Sequence, residues 1–229
     1  MPQLVKMNAS AIGGTIQTNN SGVITVPADG IVTVNSLDAA QLLAAGATYI
    51  HATNRYQQLN AAPVAATAGR IVASTALANG TLTIANQPDV PRQCGIYVDP
   101  GTTAITAGAV TATYIANDGS TTVDVISAVT AASTPFTTNT SKGVVFMNSA
   151  IVTGIVGGAS PHVQVNDTNS LALSVDPGFV DFKALRENTD GANGTIGTVA
   201  STAASITPNT TPNGTHTYSW NYSYNTADT

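Results

Sequence analysis

The chain has 229 residues, of which only 8% are charged, and seven basic against twelve acidic residues give a net charge of −5. An average soluble protein has about a quarter charged residues. Too few basic side chains are present to neutralise a run of phosphates, which argues against nucleic acid as a partner. Thr, Ser, Asn, Ala and Gly alternate with Val and Ile in a way that favours β-strands over disorder.

The apolar segments are too short or too interrupted for a membrane span. The longest run, from Gly143 to Gly158, is broken by Asn148, Ser149 and Thr153. The opening residues MPQLVKMNASAIGG contain no continuous apolar stretch of the kind that a signal peptide needs. We therefore expect a protein made in a cytoplasm, without a membrane partner.

Residues 21–60 have the pattern of a compact unit. SGVITVP and GIVTVN predict two short strands joined by a turn that contains Asp29-Gly30. SLDAAQLLAAG predicts a helix of about nine residues, with Ser36 as N-cap and Gly46 at the C′ position. ATYIHA, which follows the helix, predicts a third strand. The apolar face of the helix consists of Leu37, Leu42 and Leu43. Residues 1–60 are thus predicted to form a small β-β-α-β anchor unit.

The rest of the chain has the pattern of a β-sandwich. AAPVAATA, residues 61–68, is uncharged and without a period, which indicates a linker. Strand-like stretches then recur about every ten residues: RIVAS, GTLTIA, CGIYVD, AVTATYIA, TVDVISAV, KGVVFMNSAIVTGIV, HVQVN, SLALSV, FVDFKAL, TIGTVA and THTYSWNYSY. Turns are predicted at Asn79-Gly80, Asp99-Pro100-Gly101, Asn117-Asp118-Gly119, Asp176-Pro177-Gly178 and Asn193-Gly194. The sequence therefore predicts a mainly β protein whose residues 69–229 form an antiparallel sandwich, Ig-like or jelly-roll.

No residue pattern predicts catalysis or metal binding. The twelve acidic residues share no motif, and His51, His162 and His216 lie far apart without the spacing of metal ligands. VNDTNS (165–170) and NTDGANG (188–194) supply oxygen atoms that suit Ca²⁺, but neither follows the twelve-residue loop pattern and Asx-turns account for both. The single cysteine, Cys94, is expected to be a buried structural thiol. We predict that the protein is not an enzyme and has no cofactor and no metal.

The segment HTYSWNYSY (216–224) concentrates aromatic residues in a chain where they make up 5% of the total. Tyr218, Trp220, Tyr222 and Tyr224 are spaced by two, so a strand places all four rings on one side. We call this segment the aromatic strand. It is expected to fill a core or a subunit interface, while a sugar-stacking platform is the functional alternative.

The C-terminal half resembles virion proteins of tailed bacteriophages that are encoded beside the major capsid protein, of the head decoration or cement type. The resemblance lies in LALSVDPGFVDF (171–182), TPNTTPNGTHTYSWNYSY (207–224) and the strand-turn pattern GAVTATYIANDGSTTVDVISAV (108–129). In similar sequences a Pro-Asn/Thr-Thr-x-Pro-x-Gly-Thr run also leads into a final aromatic strand. The likeness spans roughly residues 69–225 and contains no catalytic motif.

The resemblance implies a capsid decoration protein that binds the major capsid protein and stabilises the assembled head. The expected state is a homo-oligomer, with a trimer favoured, and the expected place is the outer surface of the virion head after assembly in the host cytoplasm. Either the 1–60 unit or the sandwich is expected to contact the shell. The alternative is a receptor- or carbohydrate-binding module of a phage fibre, tail or collar, which predicts exposed rings in the aromatic strand.

Overall fold

The computed structural model describes residues 3–28, 30–59, 61–127, 134–176 and 179–227. These residues are mainly β, with one short α-helix near the N-terminus among them, as the sequence predicts. The chain divides into two compact units. The smaller unit contains residues 1–54, 178–182 and 223–229, and the larger unit contains residues 55–177 and 183–222.

The smaller unit combines a short sheet, a hairpin and the helix. Its elements are β1 (Gln3–Lys6), one 3₁₀ turn (Ala9–Ala11), β2 (Thr15–Thr18), β3 (Gly22–Thr25), β4 (Ile31–Val34), α1 (Ser36–Ala44) and the first part of β5 (Thr48–Gln58). β1 lies between β4 and β5 and is antiparallel to both. Both strands predicted from SGVITVP and GIVTVN form, but β3 pairs with β2 while β4 pairs with β1.

The N-cap of helix α1 lies one residue earlier than predicted. Asn35, with φ −73° and ψ 167°, is the N-cap, and its side-chain oxygen accepts hydrogen bonds from the backbone N–H groups of Leu37 and Asp38. The predicted cap Ser36 is the first helical residue. At the other end Gly46 takes φ +90°, the left-handed conformation expected at C′. Leu42 packs in the core of this unit, whereas Leu37 is 68% exposed, contrary to the predicted apolar face.

Asp38 joins the β2–β3 hairpin to the start of the helix. Its carboxylate accepts hydrogen bonds from the backbone N–H groups of Asn20 and Ser21, from both of their side chains and from the Asn35 amide. Burial opposes the charged form, but the hydrogen bonds from Ser21 and Asn20 outweigh it and hold the pKa of Asp38 well below its ordinary value. The carboxylate therefore acts as a fixed, charged anchor for the hairpin turn.

We expect Asn35→Ala to loosen this helix start. An N-cap of this type contributes about 1 kcal/mol, so amide exchange in the helix should become roughly fivefold faster by hydrogen exchange measured at constant pH. Asn35→Ser is the matched control because serine caps helices about as well. An equally large loss in Asn35→Ser would show that the amide bond from Asn35 to Asp38, rather than the cap, stabilises the helix.

The larger unit holds the remaining strands. They are the last part of β5, β6 (Val72–Ala76), β7 (Gly80–Thr81), β8 (Arg92–Asp99), β9 (Ile105–Ala116), β10 (Thr121–Ser127), β11 (Phe136–Asn139), β12 (Val144–Gly157), β13 (His162–Ala172), β14 (Phe179–Thr189), β15 (Ala192–Gly194), β16 (Thr198–Ala200), β17 (Ser205–Thr207) and β18 (Tyr218–Ala227). β14 and β18 also contribute residues to the smaller unit. The predicted stretches HVQVN and SLALSV form one strand, β13, up to Ala172, and β11 and β17 were not predicted.

A β-sandwich forms the centre of the larger unit. β10, β9, β12 and β7 lie side by side in one layer, and β11, β8, β13 and β6 form the other. One residue pair between strands, Val144 with Arg92, joins the layers in the sheet that contains both. Side chains of both layers meet in a single apolar core, with Val110, Ala112, Tyr114, Met147 and Val152 from the first layer and Cys94, Ile96, Val98, Val163 and Val165 from the second.

A further sheet of the larger unit carries the aromatic strand. Its strand order is β15–β14–β18–β5, so β18 lies between two neighbours. β13 continues beyond the sandwich to pair with β17, which pairs with β16. Residues 61–68, the predicted linker, belong to the larger unit, where the Val64 N–H donates to Asp89 and the Ala66 N–H donates to Asn169.

Most of the predicted turns lie where strands end, but one turn lies three residues earlier than predicted. Gly101 and Gly119 have φ +73° and +81° in the turns after β8 and β9. The turn predicted at Asn193-Gly194 instead lies at Asp190-Gly191, between β14 and β15, where both residues have positive φ (52° and 79°). Two such residues in succession make a type I′ hairpin turn, which matches the twist of the flanking strands. The predicted turn at Pro177-Gly178 lies outside the described residues.

Candidate functional site

The rings of the aromatic strand are buried. Tyr218, Trp220 and Tyr222 of the larger unit are each at most 1% exposed, and Tyr224 of the smaller unit is equally buried. Tyr218 and Trp220 stack with ring centroids 5.8 Å apart and planes 6° apart. A ligand such as a sugar has no access to these faces. The alternation of rings and small polar residues therefore places a wall of aromatic side chains in the interior.

In the part of the aromatic strand that belongs to the larger unit, the hydroxyl groups of the two buried tyrosines donate to backbone oxygens. The Tyr218 hydroxyl donates to the Thr210 carbonyl at 2.8 Å, and the Tyr222 hydroxyl donates to the Ser174 carbonyl. Burial, with the nearby Asp190 and Glu187 charges, raises the pKa of Tyr218 to about 12. This phenol is therefore neutral and acts as a hydrogen-bond donor that holds the 207–215 loop against the strand.

The described histidines do not form a metal or catalytic centre. His162 lies on β13, and His216 contacts Asp190, with 2.7 Å between its Nδ1 and the Asp190 Oδ2. The Thr217 N–H donates to Asp190, and this bond together with the one from His216 holds the pKa of Asp190 below its ordinary value. Within the described part of the chain no three His, Cys, Asp or Glu side chains are grouped to hold a metal ion. The side chain of the third histidine, His51, lies outside the described part of the structure.

Beside this pair a depression of about 270 Å³ is lined by Glu187, Asn193, Asn209 and His216, among others. Glu187 is 1% exposed, and its two oxygens accept hydrogen bonds from the backbone N–H groups of Gly197 and Asn209, each at 3.0 Å. Its carboxylate thus fastens two loops to β14. The geometry is that of a structural clamp rather than of a reacting acid.

The side chains of the oxygen-rich segment 165–170 form hydrogen bonds with other parts of the chain. The Asn166 side chain accepts from the Gly69 N–H at 2.7 Å, and that of Asn169 accepts from the Ala66 N–H. The Thr168 hydroxyl donates to the Gln93 carbonyl. The side-chain oxygens of Asn166 and Asn169 hold residues 64–70 against β13. These are the oxygen atoms that a Ca²⁺ ion would need as ligands, and they already accept hydrogen bonds.

A buried charge cluster, which the sequence did not reveal, lies next to this segment. Arg92 and Asp167 are at most 3% exposed, and Arg92 contacts Asp89 at 2.5 Å and Asp167 at 3.9 Å. Arg70 lies 3.0 Å from Asp167. The Arg92 guanidinium also donates to the carbonyls of Val64 and Thr168. Two cations and two carboxylates therefore fix residues 64–70 to the sandwich.

Burial dominates the protonation of this cluster and of its neighbour Cys94. It raises the pKa of Asp167, while the positive charges of Arg92 and Arg70 act in the opposite direction. Burial, followed by the Asp167 charge, raises the pKa of Cys94 to about 12. The thiol is fully buried, as predicted, and protonated at neutral pH.

One groove of the larger unit offers no reactive side chain. It has a volume of about 550 Å³, runs along residues 72–85 near β6 and β7, and is lined by Val, Ala, Ser, Thr, Asn, Gly and Leu residues. Groups that donate or accept protons at neutral pH are not among these lining residues. Its small apolar and neutral polar side chains are suited to packing rather than to catalysis.

One exposed surface does have the chemistry of a binding surface. The outward-facing positions of β9, β10 and β12, here called the outer face, carry large apolar side chains that are 37–58% exposed, among them Ile115, Val123, Val125, Phe146, Ile151 and Val156. Sequence reasoning missed this face, although the alternation Val-Asp-Val in β10 was a signal for it.

Comparisons with protein-family models, with curated proteins and with solved structures give no match for this chain. Among the described helical residues, no helix has the length and hydropathy to cross a membrane.

Proposed function

We propose that this chain is a structural protein of a tailed-bacteriophage virion, a decoration or cement protein that binds the major capsid protein on the assembled head shell. The proposal starts from the sequence resemblance. The structural observation that supports it best is the burial of the aromatic strand, because this places the main concentration of ligand-binding side chains inside the fold. What remains at the surface is suited to contacts between proteins.

Two other classes of function receive less support. A carbohydrate- or receptor-binding module would use exposed rings near 216–224, and the rings of Tyr218, Trp220 and Tyr222 are covered. An enzyme would require convergent acid, base or nucleophilic groups in a cleft. In the described residues, the buried carboxylates of Asp167 and Glu187 are instead held by cations or backbone N–H groups.

We assign the contact with the shell to the smaller unit and the exposed surface of the head to the larger unit. Among its described residues, the smaller unit presents three exposed large apolar side chains, Ile12, Val23 and Leu37. A net charge of −5 suits the outside of the head better than its interior, where packaged DNA is densely negative. The protein is expected to be a homo-oligomer that binds neighbouring capsid subunits after assembly in the host cytoplasm.

Stabilisation of the shell would follow from mass action. A protein that binds the assembled shell but not its separated subunits adds about 4 kcal/mol per site at a thousandfold excess over Kd. A specific contact needs on the order of 800 Å² per partner. With so few charges in the chain, shape and apolar contact would contribute more to this contact than electrostatic steering.

The test is co-sedimentation of the purified full chain with heads assembled without it, together with the temperature at which those heads disrupt. We expect saturable binding and a higher disruption temperature. Leu37→Glu should weaken binding at least tenfold, because it places a charge in the proposed contact without affecting the core. Leu185→Glu, at a 48% exposed position of the larger unit, is the matched control.

Absence of saturable binding by the unchanged protein would overturn the proposed function. Equal binding by Leu37→Glu and the unchanged protein would overturn the assignment of the contact to the smaller unit. In the first case, direct screening of the protein for glycan binding would test the fibre alternative.

A further inference from the structure

The outer face is an ordered array of apolar and hydroxyl side chains. The strand registers place Thr121, Ile115 and Phe146 in one cross-strand row, Val123, Thr113 and Ser149 in the next, and Val125, Thr111 and Ile151 in a third. The third row continues into Thr81 of β7. Farther along, Ala109 pairs with Thr153 and Ala107 with Val156, which is 56% exposed. Every residue in these rows is uncharged.

The charged residues of the same strands point to the other side or lie at the end of the layer. Asp124 alternates with Val123 and Val125, and its carboxylate accepts hydrogen bonds from the Tyr114 hydroxyl and the Ser141 N–H. Asp118, in the turn between β9 and β10, is paired with Lys142. The outer face is therefore neutral because of its register, in a chain whose net charge is −5.

We propose that the outer face is the surface through which this chain binds a second copy of itself, face to face. A charged partner would lose hydration at this face without gaining an ion pair. Two copies of an acidic chain repel each other least where neither presents a carboxylate. A neutral face of Val, Ile, Phe and Thr is complementary in chemistry to itself, which is the requirement of a two-fold contact.

The size of the face is sufficient for a weak, reversible dimer. Neighbouring strands lie about 4.8 Å apart, and outward-facing residues repeat about every 6.8 Å along a strand. Each outward-facing residue therefore covers about 33 Å² of the sheet surface. The five rows therefore provide roughly 450–500 Å² per copy, or about 1,000 Å² in total. This is the lower limit for a specific interface. We therefore expect dissociation in the micromolar range or weaker, rather than an obligate dimer.

Phe146 lies in the first row of the outer face, and we expect the largest apolar contact between the two copies there. It is 45% exposed and lies in the same row as Ile115 and Thr121. A lone aromatic ring among aliphatic and hydroxyl side chains is typical of a contact between protein surfaces, where Phe is enriched. The inference concerns contacts between copies and does not depend on what the smaller unit binds.

The experiment is sedimentation velocity of the full chain from about 5 μM to 1 mM, a range that brackets the affinity expected for an interface of this size. We expect a reversible monomer–dimer equilibrium. Val125→Glu should weaken it at least tenfold, because each dimer would bury two added carboxylates. Val125→Thr, which keeps the volume and the neutral charge, should change Kd less than threefold, and Leu185→Glu should leave it unchanged.

Three outcomes would overturn the inference: a monomer over the whole range, a dimer that Val125→Glu leaves intact, or a dimer that Leu185→Glu weakens equally. A trimer would also exclude face-to-face pairing, although it would agree with the number of copies that the sequence resemblance favours. Circular dichroism of each variant confirms that its fold is retained. Because head binding is measured separately, failure of this inference leaves the proposed function untouched.

Discussion

Replacement of Trp220 by alanine is expected to lower the free energy of unfolding by about 3–5 kcal/mol. The indole is fully buried, and it stacks on Tyr218 near the start of β18. Removal of the side chain eliminates this burial, leaves a cavity that strand neighbours fill only in part, and breaks a ring pair that contributes about 0.5–1.5 kcal/mol beyond its area. Urea unfolding followed by far-UV circular dichroism measures the loss, since the variant contains no tryptophan.

The matched control for this prediction is Tyr56→Ala. Tyr56 is also an aromatic residue on a strand of the same sheet, but it is 60% exposed, so its loss should change stability by no more than about 0.5 kcal/mol. If Trp220→Ala cost no more than this control, the aromatic strand would not be part of the core. The question of a surface role for its rings would then reopen.

The elements that the sequence predicted correctly are those specified by local chemistry. Helix α1 was predicted from its capping residues, its apolar spacing and Gly46, all within twelve residues. Its cap was misplaced by one position because Asn35 and Ser36 are both good capping residues, and only the backbone conformation distinguishes them. The ring spacing in β18 predicted a strand with one aromatic wall, which the structure contains.

Features that depend on distant residues were not predictable in the same way. Arg92 stands in a strand-like stretch, and its partners come from Val64, Asp89 and Asp167, the last of them 75 residues away. The two sides of β10 differ only through its register with β9, which sends Asp124 inward and Val125 outward. Short strands such as β11 and β17 take their conformation from β8 and β13, not from a pattern of their own.

The second large effect is expected from Arg92→Met, which keeps most of the side-chain volume but removes the buried cation. Among the described cations, Asp167 would keep Arg70 as its partner, and Asp89 would lose its contact at 2.5 Å. Loss of one partner from a buried ion pair costs about 3–5 kcal/mol, because the remaining charge stays in the interior. Arg55→Met is the control. Its contact with Asp176 lies at the surface, where a pair contributes about 0–1 kcal/mol.

The pH dependence of Arg92→Met distinguishes loss of charge compensation from loss of packing. Burial already raises the pKa of Asp167, and removal of Arg92 removes a charge that counteracts this rise. A raised folded-state pKa means that the folded variant binds a proton more readily than the unfolded chain, so its stability increases as the pH falls through that pKa. The deficit of Arg92→Met in urea unfolding should therefore be largest near pH 7 and smaller near pH 4. Addition of Asp167→Asn should recover part of the deficit at pH 7, whereas a deficit that is independent of pH and unaffected by Asp167→Asn would mean that Arg92 acts through its packing alone.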